Sequence, residues 1–285
     1  MSGNETGKTL LNIRSHLNGL TKMEQKVAQY ILEHAQDVIY HSVTELADRA
    51  DVGETTVLRF CRKLKFQGFQ DFKLSLAQDL VKPVEHLHRE VTEEDSPSAL
   101  IHKVFGTHIQ TLEQTKELVD VNQLGKAIQA LEAASAIYFF GVGSSGLTAL
   151  QASNSFARIG KKTQVVTDSH LQAMNAAFMQ PGDVAVGFSN SGSTKDTIES
   201  LTIAKKAGAC VIAITSNARS PITKVADIVL LMVARENPLQ GSSLAAVISQ
   251  LAIIDVLNVA VSLQSKEQAL KHRELAAKAI SDKLY

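Results

Sequence analysis

Apolar and polar positions alternate with a helical period through the first eighty residues of the chain. Through residues 17–32, apolar side chains recur at the spacing of one helix face. Thr21 followed three residues later by Glu24 has the form of a capping box, and Ser42 is placed to cap a second helix. The same spacing predicts further helices over residues 43–50, 57–64 and 69–80. The pattern therefore predicts an all-helical N-terminal domain.

The second and third of these helices are short and are separated by a tight turn at residues 51–53. Two short helices joined by a turn that contains glycine are the pattern of a helix-turn-helix. In that motif the second helix enters the major groove of DNA, and its first residues reach the base edges. We expect five polar side chains on the outer face of this helix: Thr55, Thr56, Arg59, Arg62 and Lys63. A helical bundle with a solvated charged face would show the same spacing, so this alternative stays open.

Charged residues are distributed unevenly over the N-terminal domain. Residues 59–73 carry five basic side chains and one acidic one, whereas residues 33–54 are acidic. The whole chain has 29 basic and 29 acidic residues, so any nucleic-acid binding must come from a local patch. An arginine on such a patch can bind guanine through two hydrogen bonds. The charge pattern therefore supports DNA binding by the helix-turn-helix.

The pattern changes after residue 80. Residues 81–98 contain Pro83, Pro97 and the acidic run 93–95, with few apolar side chains, which is typical of a linker. Helical spacing returns over residues 100–131, and apolar runs of β type then alternate with helical ones. Strands are expected over residues 136–140, 164–167, 183–188, 210–215 and 228–233. Helices are expected over residues 145–159, 171–178, 194–207 and 244–261.

Continuous apolar strands that alternate with helices indicate a parallel sheet covered on both faces. The predicted fold class is an all-α helix-turn-helix domain followed by an α/β three-layer sandwich with a five-stranded parallel sheet. The expected boundaries are residues 1–80 for the helical domain, 81–98 for the linker and 99–285 for the α/β domain.

Composition narrows the class of protein further. Hydrophobic residues make up 45% and charged residues 20% of the 285, which excludes a wholly disordered chain. Cys61 and Cys210 lie far apart in apolar runs, as expected of reduced thiols in a cytoplasmic protein, and not of a disulfide or zinc site. Residues 1–11 lack the apolar stretch of a signal peptide. Residues 244–263 are long enough to cross a membrane, but polar residues interrupt them, so we expect a buried helix and no membrane association.

Two loops rich in serine and glycine, residues 141–146 and 189–194, follow predicted strands and open predicted helices. In an open parallel sheet, ligands bind beyond the carboxyl ends of the strands. A helix N-terminus there offers N–H groups and a positive dipole end to an anion, and hydroxyl groups add donors. The pattern favours a sugar phosphate. Its expected binding residues are Gly143, Ser144, Ser145, Ser189, Asn190, Ser191, Ser193 and Thr194, with Glu236 placed to accept from sugar hydroxyls.

Two other kinds of protein share parts of this pattern. The first loop matches the G-x-G-x-x-G fingerprint of dinucleotide-binding proteins, and Asp168 lies where a ribose-binding acid would be expected. A second serine-rich loop is not needed for a dinucleotide and counts against that interpretation. A sugar-phosphate isomerase would need a base near the sugar carbons, for which Asp168, His170 and Glu236 are available. Because the spacing shows no paired carboxylates, catalytic triad or metal cluster, we expect neither an enzyme nor a resident cofactor or metal.

Both halves of the chain resemble a known family. Residues 52–64 (VGETTVLRFCRKL) and 66–73 (FQGFQDFK) resemble the N-terminal domain of RpiR-type bacterial transcription regulators. Residues 140–146 (FGVGSSG), 189–194 (SNSGST) and 250–257 (QLAIIDVL) look like their C-terminal SIS, or sugar isomerase, domain. The resemblance covers nearly the whole chain in the order found in the family.

The resemblance implies a DNA-binding transcription regulator whose SIS domain senses a phosphosugar effector. Paired SIS domains imply a homo-dimer or tetramer on a near-palindromic operator DNA. The family's DNA-facing residues match Thr55, Thr56 and Arg59, and its phosphate-holding hydroxyls match Ser144, Ser145, Ser189, Ser191 and Thr194.

The chain departs from the family pattern at four positions. Gly53 stands where the family often has serine, and Lys65 stands where glycine is frequent. Gln240 and Val247 align with positions that are often arginine in the family. The last two departures bear on the identity of the phosphosugar and on how strongly it binds.

Overall fold

The computed structural model describes residues 7–80, 91–92, 94–234 and 244–281. Contacts between Cα atoms divide the chain into two units. Of the described residues, those up to Ile109 belong to the first, here called the helical unit, and the remainder belong to the second, the α/β unit. Most of the predicted linker, residues 81–90 and 93, lies outside the described residues.

Five helices open the helical unit; the spacing of apolar side chains predicted four of them, and the first was not predicted. They are α1 (Lys8–His16), α2 (Lys22–Val38), α3 (Val43–Arg49), α4 (Glu54–Lys63) and α5 (Phe69–Leu80). Their apolar faces form one core, where the Phe72 ring packs edge-on against Phe60 and Phe66 at centroid distances of 6.0 and 5.5 Å. Thr44 of α3 donates a hydrogen bond to Glu54 of α4. The two short helices of the predicted helix-turn-helix are thus tied to each other.

Local capping signals set where these helices begin. Thr21 Oγ1 accepts from the main-chain N of Glu24, and the Glu24 carboxylate accepts from the main-chain N of Thr21, so the predicted capping box is confirmed. This cap starts α2, and the helix predicted over residues 17–32 therefore begins after a 3₁₀ turn at Leu17–Gly19. The predicted cap at Ser42 is also confirmed, because its Oγ accepts from a main-chain N of α3 at 3.0 Å.

Lys73 and Cys61 are two of the ionisable side chains that are buried in the helical unit. Lys73 of α5 is 7% exposed, and its Nζ donates to the His41 main-chain carbonyl at 2.8 Å. Burial disfavours the charged form and lowers the pKa of Lys73 to about 8. Burial also raises the pKa of the Cys61 thiol to about 12, so this free cysteine stays protonated at neutral pH.

The helical stretch predicted over residues 100–131 is two helices, α6 (Pro97–Leu118) and α7 (Val121–Ala133). Asp120 divides them, because its carboxylate accepts from the main-chain N of Asn122 at 2.8 Å and of Gln123 at 2.9 Å and so caps α7. α6 begins among residues of the helical unit and ends among residues of the α/β unit.

Five parallel strands form the sheet of the α/β unit, in the order β2-β1-β3-β4-β5. The strands are β1 (Ile137–Phe140), β2 (Thr163–Val166), β3 (Val184–Phe188), β4 (Cys210–Thr215) and β5 (Ile228–Leu231). The further helices are α8 (Ser144–Ala157), α9 (Ser169–Ala177), α10 (Lys195–Lys206), α11 (Pro221–Val225), α12 (Leu244–Gln264) and α13 (Lys266–Ile280). The predicted five-stranded parallel sheet is confirmed, whereas α11 and α13 of the α/β unit, like α1 of the helical unit, were not predicted.

Helices cover both faces of this sheet. Along β3, Val184 and Val186 pack with α7, α8 and α12, whereas Ala185 packs with α9, α10 and α11. Gly187 allows α10 to approach closely, because a Cβ there would lie 2.4 Å from Cδ1 of Leu201. The alternation produces the predicted three-layer sandwich, with one apolar layer on each side of the sheet.

Among the helices of the described residues, α12 has the length and apolarity that could cross a membrane. One face of α12 lies in the core of the α/β unit through Ile253, Ile254 and Leu257, as the sequence predicted. The opposite face leaves Val259 and Leu263 largely exposed.

Candidate functional site

The first serine-rich loop connects β1 to α8 and depends on glycine at two positions. Gly143 precedes the first turn of α8 with φ +59° and ψ −133°, a conformation that side chains with a Cβ rarely adopt. A Cβ on Gly141 would lie 2.7 Å from the carbonyl oxygen of Ser145. The backbone therefore passes directly against the first turn of α8, where Ser144 and Ser145 are partly exposed. The N–H of Gly146 donates to the carbonyls of Val142 and Gly143, so the N–H groups of that turn available to an anion are those of Ser144 and Ser145.

Two glutamines hold the first loop, and sequence reasoning identified neither as a site residue. Gln172 of α9 donates through Nε2 to the carbonyls of Gly141 and Val166, each at 2.8 Å. Gln250 of α12 donates through Nε2 to Ser145 Oγ at 3.3 Å. Both side chains are buried, and the Oε1 atom of each has no hydrogen-bond partner. The only sequence signal for them is a long polar residue within a buried helix face.

The second loop connects β3 to α10 and is held by the segment that follows β4. Ser189 is buried, and its Oγ lies 3.0 Å from Oγ1 of Thr194. The main-chain carbonyl of Asn190 accepts from Thr215 Oγ1 at 3.1 Å and from Ser216 Oγ at 2.8 Å. Sequence analysis did not assign this supporting role, because the loop and the segment after β4 are distant in the chain.

Hydrogen bonds also hold the backbone in the middle of the second loop, at residues 191–193. The carbonyl of Ser191 accepts from Asn217 Nδ2 at 3.2 Å, and Ser191 Oγ accepts from the main-chain N of Ser193 at 3.3 Å. Gly192 has φ +64°, and a Cβ there would lie 2.1 Å from Ser220 Oγ. Glycine is therefore required at position 192 both by backbone conformation and by space.

The two loops leave the sheet side by side. β1 and β3 are adjacent and parallel, with Phe140 opposite Gly187, so the loops begin about 5 Å apart at the same edge. Neither Gly143, which precedes α8, nor Thr194, which precedes α10, makes a side-chain capping hydrogen bond. Two helix N-termini with their positive dipole ends thus meet a set of neutral hydroxyl groups, an arrangement suited to a phosphate ester.

The remaining candidates from the sequence lie elsewhere. Asp168 caps α9, since its carboxylate accepts from a main-chain N of the first turn at 3.0 Å, and His170 is exposed on the same helix. Glu236 and Gln240 fall outside the described residues, and Val247 is partly buried on α12. No group of three or more histidine, cysteine or acidic side chains able to hold a metal occurs in the described ranges.

The helix-turn-helix exposes only some of the side chains expected on its outer face. Thr55, Arg59, Arg62 and Lys63 of α4 are exposed. The prediction that Thr56 lies on that face is wrong, because its side chain is only 7% exposed and its Oγ1 accepts from Arg59 Nη2 at 3.4 Å. Thr56 therefore supports the position of Arg59 instead of being open to solvent.

Lys63, also expected on the outer face, forms an ion pair across the helical unit. Its Nζ lies 3.0 Å from Oε2 of Glu24 on α2. Burial opposes ionisation of Glu24, but hydrogen bonds from Thr21 and Lys63 hold the pKa of this carboxyl below its usual value. The Lys63 charge is thus partly neutralised within the protein, whereas Arg62 beside it faces solvent.

The two departures from the family pattern in the helix-turn-helix, Gly53 and Lys65, lie at the two ends of α4. Gly53 is the N-cap of α4 and supplies no side-chain hydrogen bond to it. Lys65 follows α4 with φ +69°, in the left-handed region that favours glycine.

Both parts of the chain match known families. The helix-turn-helix domain of the rpiR family matches residues 7–83, and the SIS domain matches residues 130–260. An uncharacterised HTH-type transcriptional regulator of Caldanaerobacter subterraneus is 36% identical over 269 residues, covering 94% of this chain and 95% of the relative. The HTH-type transcriptional regulator HexR of Escherichia coli is 35% identical over 255 residues, covering 90% of this chain and 88% of HexR.

A solved structure matches the whole fold. The Vibrio vulnificus NanR protein complexed with ManNAc-6P superposes with a TM-score of 0.87 and 28% identity, covering 97% of this chain and 99% of NanR. Together with the helix-turn-helix and the two serine-rich loops, these matches decide the family. The chain belongs to the rpiR family of helix-turn-helix transcriptional regulators that carry a SIS domain.

Proposed function

We propose that this regulator binds a phosphosugar between the first and second loops and changes its affinity for operator DNA in response. The observation that carries the proposal is the pair of helix N-termini, α8 and α10, which open from adjacent strands with hydroxyl groups around them. The ManNAc-6P bound to NanR supports the same class of effector. Gly143, Ser144, Ser145, Ser189, Asn190, Ser191, Ser193 and Thr194 are the proposed contacts.

A thermal-shift screen tests the effector site. ManNAc-6P, other hexose phosphates and inorganic phosphate are compared with the unphosphorylated sugars and with nicotinamide dinucleotides, because a ligand that binds only the folded state raises Tm. We expect a rise with a sugar phosphate that is lost in a Ser145→Ala, Ser191→Ala double variant. Ser155→Ala, at the other end of α8, is the matched control and keeps the rise. A rise with dinucleotides alone would contradict the proposal.

The DNA-binding surface is proposed to be the exposed face of α4. Thr55, Arg59 and Arg62 are candidates for direct contact, Lys63 for contact with phosphate, and Thr56 for the support of Arg59. DNA selected from a random pool by the purified protein supplies the specific site. Arg59→Ala should weaken binding to selected DNA more than to random DNA, whereas the control Arg158→Ala in the α/β unit should affect neither. An equal loss on both DNAs would assign Arg59 to phosphate contact.

We further propose a cytoplasmic homo-dimer or tetramer without enzymatic activity. Exposed apolar side chains of α12, Val256, Val259 and Leu263, support pairing of α/β units. Sedimentation of Val259→Glu should show smaller assemblies than the wild type. The capping role of Asp168 and the exposure of His170 leave these two residues poor candidates for an isomerase base. Exchange of the sugar proton next to the carbonyl in deuterated water would contradict the non-enzymatic proposal.

A further inference from the structure

A closed ring of three hydrogen bonds joins α6, α12 and the segment that follows β5. The main-chain N of Val233 donates to Thr115 Oγ1 at 3.0 Å, Thr115 Oγ1 donates to Ser249 Oγ at 3.3 Å, and Ser249 Oγ donates to the Val233 carbonyl at 3.1 Å. Thr115 is 3% exposed and Ser249 is fully buried. Because each hydroxyl has a defined donor and acceptor role, the ring fixes α6 and α12 relative to the same main-chain position.

The next residue of α12 contacts the effector site. Gln250 Nε2 donates to Ser145 Oγ at 3.3 Å, so the hydroxyl proton of Ser145 must point to a different acceptor. A phosphate oxygen beyond the first turn of α8 is such an acceptor, and hydrogen bonds in a chain strengthen one another. Gln250 therefore orients Ser145 for an anion without needing to touch that anion.

Ser249 and Gln250 are consecutive, so one turn of α12 joins both sets of contacts. Any shift of Gln250 on binding of an anion to Ser145 would displace the Ser249 side of the same turn. The ring would then pass this displacement to α6 through Thr115. α6 is continuous from Pro97 to Leu118, and its residues belong to both units of the chain.

We propose that Gln250 is a positioning residue for Ser145 and that the ring of Thr115, Ser249 and Val233 couples occupation of the first loop to α6. This inference rests on the proposed phosphosugar site. It adds a defined route by which effector binding reaches a helix shared by the two units.

Hydrogen exchange of the full-length protein, followed by mass spectrometry, tests the coupling. Inorganic phosphate is titrated against potassium chloride at equal ionic strength. In the wild type, phosphate should slow exchange at residues 144–148 of α8 and along α6, while α13 stays unchanged. A Thr115→Val, Ser249→Ala double variant should keep the phosphate Kd and the slowing in α8 but lose the slowing in α6.

Three further variants separate coupling from general stability. Ser262→Ala removes another buried hydroxyl of α12, outside the ring, and should behave as the wild type. Thr115→Ser keeps a hydroxyl and should restore the response of α6. Gln250→Met should weaken phosphate binding about tenfold, the approximate worth of a hydrogen bond that supports a charged group. If the double variant does not unfold cooperatively, Thr115→Val alone makes the same test.

The outcomes distinguish this inference from the proposed function. Two results would overturn the coupling but leave the effector site unaffected. In the first, phosphate still slows hydrogen exchange in α6 of the variant without the ring hydroxyls. In the second, phosphate slows exchange in the wild type only in α8. An unchanged phosphate Kd in Gln250→Met overturns its positioning role. If phosphate causes no slowing at residues 144–148 of the wild type, the proposed site itself is wrong, and the coupling with it.

Discussion

Helices α7 and α9 begin differently from α8 and α10. Asp120 and Asp168 cap α7 and α9, and their carboxylates accept hydrogen bonds from the first main-chain N–H groups. Gly143 and Thr194 precede α8 and α10 and make no such bond. A carboxylate cap satisfies the free N–H groups and cancels the positive end of the dipole. At the candidate site, no carboxylate satisfies the first main-chain N–H groups of α8 and α10 or offsets their helix dipoles. In α7 and α9, an aspartate does both.

The largest effect on stability is expected from Gly192→Ala in the second loop. The added methyl group would sit at φ +64° and 2.1 Å from Ser220 Oγ. We expect a loss of about 3 kcal/mol in the free energy of unfolding, from backbone strain and overpacking together, and loss of the phosphate-induced rise in Tm. Thermal denaturation measures both. The control Gly125→Ala, within α7 and with nothing within 4 Å of its Cβ, should instead stabilise the protein by about 0.5–1 kcal/mol.

Replacing Thr194 by aspartate would give α10 the same kind of cap as α7 and α9. Thr194→Asp should leave stability unchanged or slightly higher but weaken phosphate binding about 100-fold, because a carboxylate within ~4 Å repels the anion. Titration calorimetry with phosphate checks the change in Kd. Thr194→Asn is the matched control, because it can cap without a charge and should bind more tightly than the aspartate variant. Equal binding by the two variants would contradict a phosphate position near α10.

Removing the carboxylate cap from α7 or α9 should lower stability without changing phosphate binding. Asp168→Ala and Asp120→Ala should each cost about 1 kcal/mol of stability and leave phosphate binding intact. Urea denaturation and phosphate titration of the same preparations measure the two quantities. Weaker phosphate binding in Asp168→Ala alone would return Asp168 to the list of ligand contacts.

The smallest effect is expected at the start of α4, which also lacks a side-chain cap. Gly53→Ser introduces a hydroxyl at φ −81° and ψ 151°, where the nearest heavy atom to the new Cβ lies 3.8 Å away. The gain in stability should be a few tenths of a kcal/mol, roughly the difference between serine and glycine caps. Ser42→Gly at the start of α3 should produce a loss of similar size. A destabilised Gly53→Ser variant would show that this turn cannot accept a side chain.

The fold was predictable from the sequence because its signals are local. The capping box at Thr21, the cap at Ser42 and the apolar strands each depend on residues close in the chain. The cap at Asp120 that divides α6 from α7 is also a local signal, but it lies within a long helical pattern whose spacing does not show the break. Element positions follow from such patterns even where their exact bounds do not.

The candidate site was predictable only in part. The loops were found because glycine and serine cluster after strands, and the adjacency of β1 and β3 brings them together. Gln172, Gln250 and Thr215 were missed because the loop residues that they hold are 25 or more residues away in the chain. Thr56 was misplaced because helical spacing alone does not show how deeply a short polar side chain lies beside the core.

Because the amine of Lys73 is buried, the folded and unfolded states of the helical unit bind different numbers of protons at alkaline pH. Its pKa is lowered to about 8 in the folded state, from 10.5 in the unfolded chain. The contribution of Lys73 to stability should therefore rise as pH increases from 8 towards 10.5, where the unfolded chain binds the proton that the folded state has released. Unfolding at pH 9 would take up close to one proton per chain at this position. The calorimetric enthalpy of unfolding at pH 9 should accordingly contain a term from the ionisation enthalpy of the buffer, and Lys73→Met should change that term by close to one proton per chain.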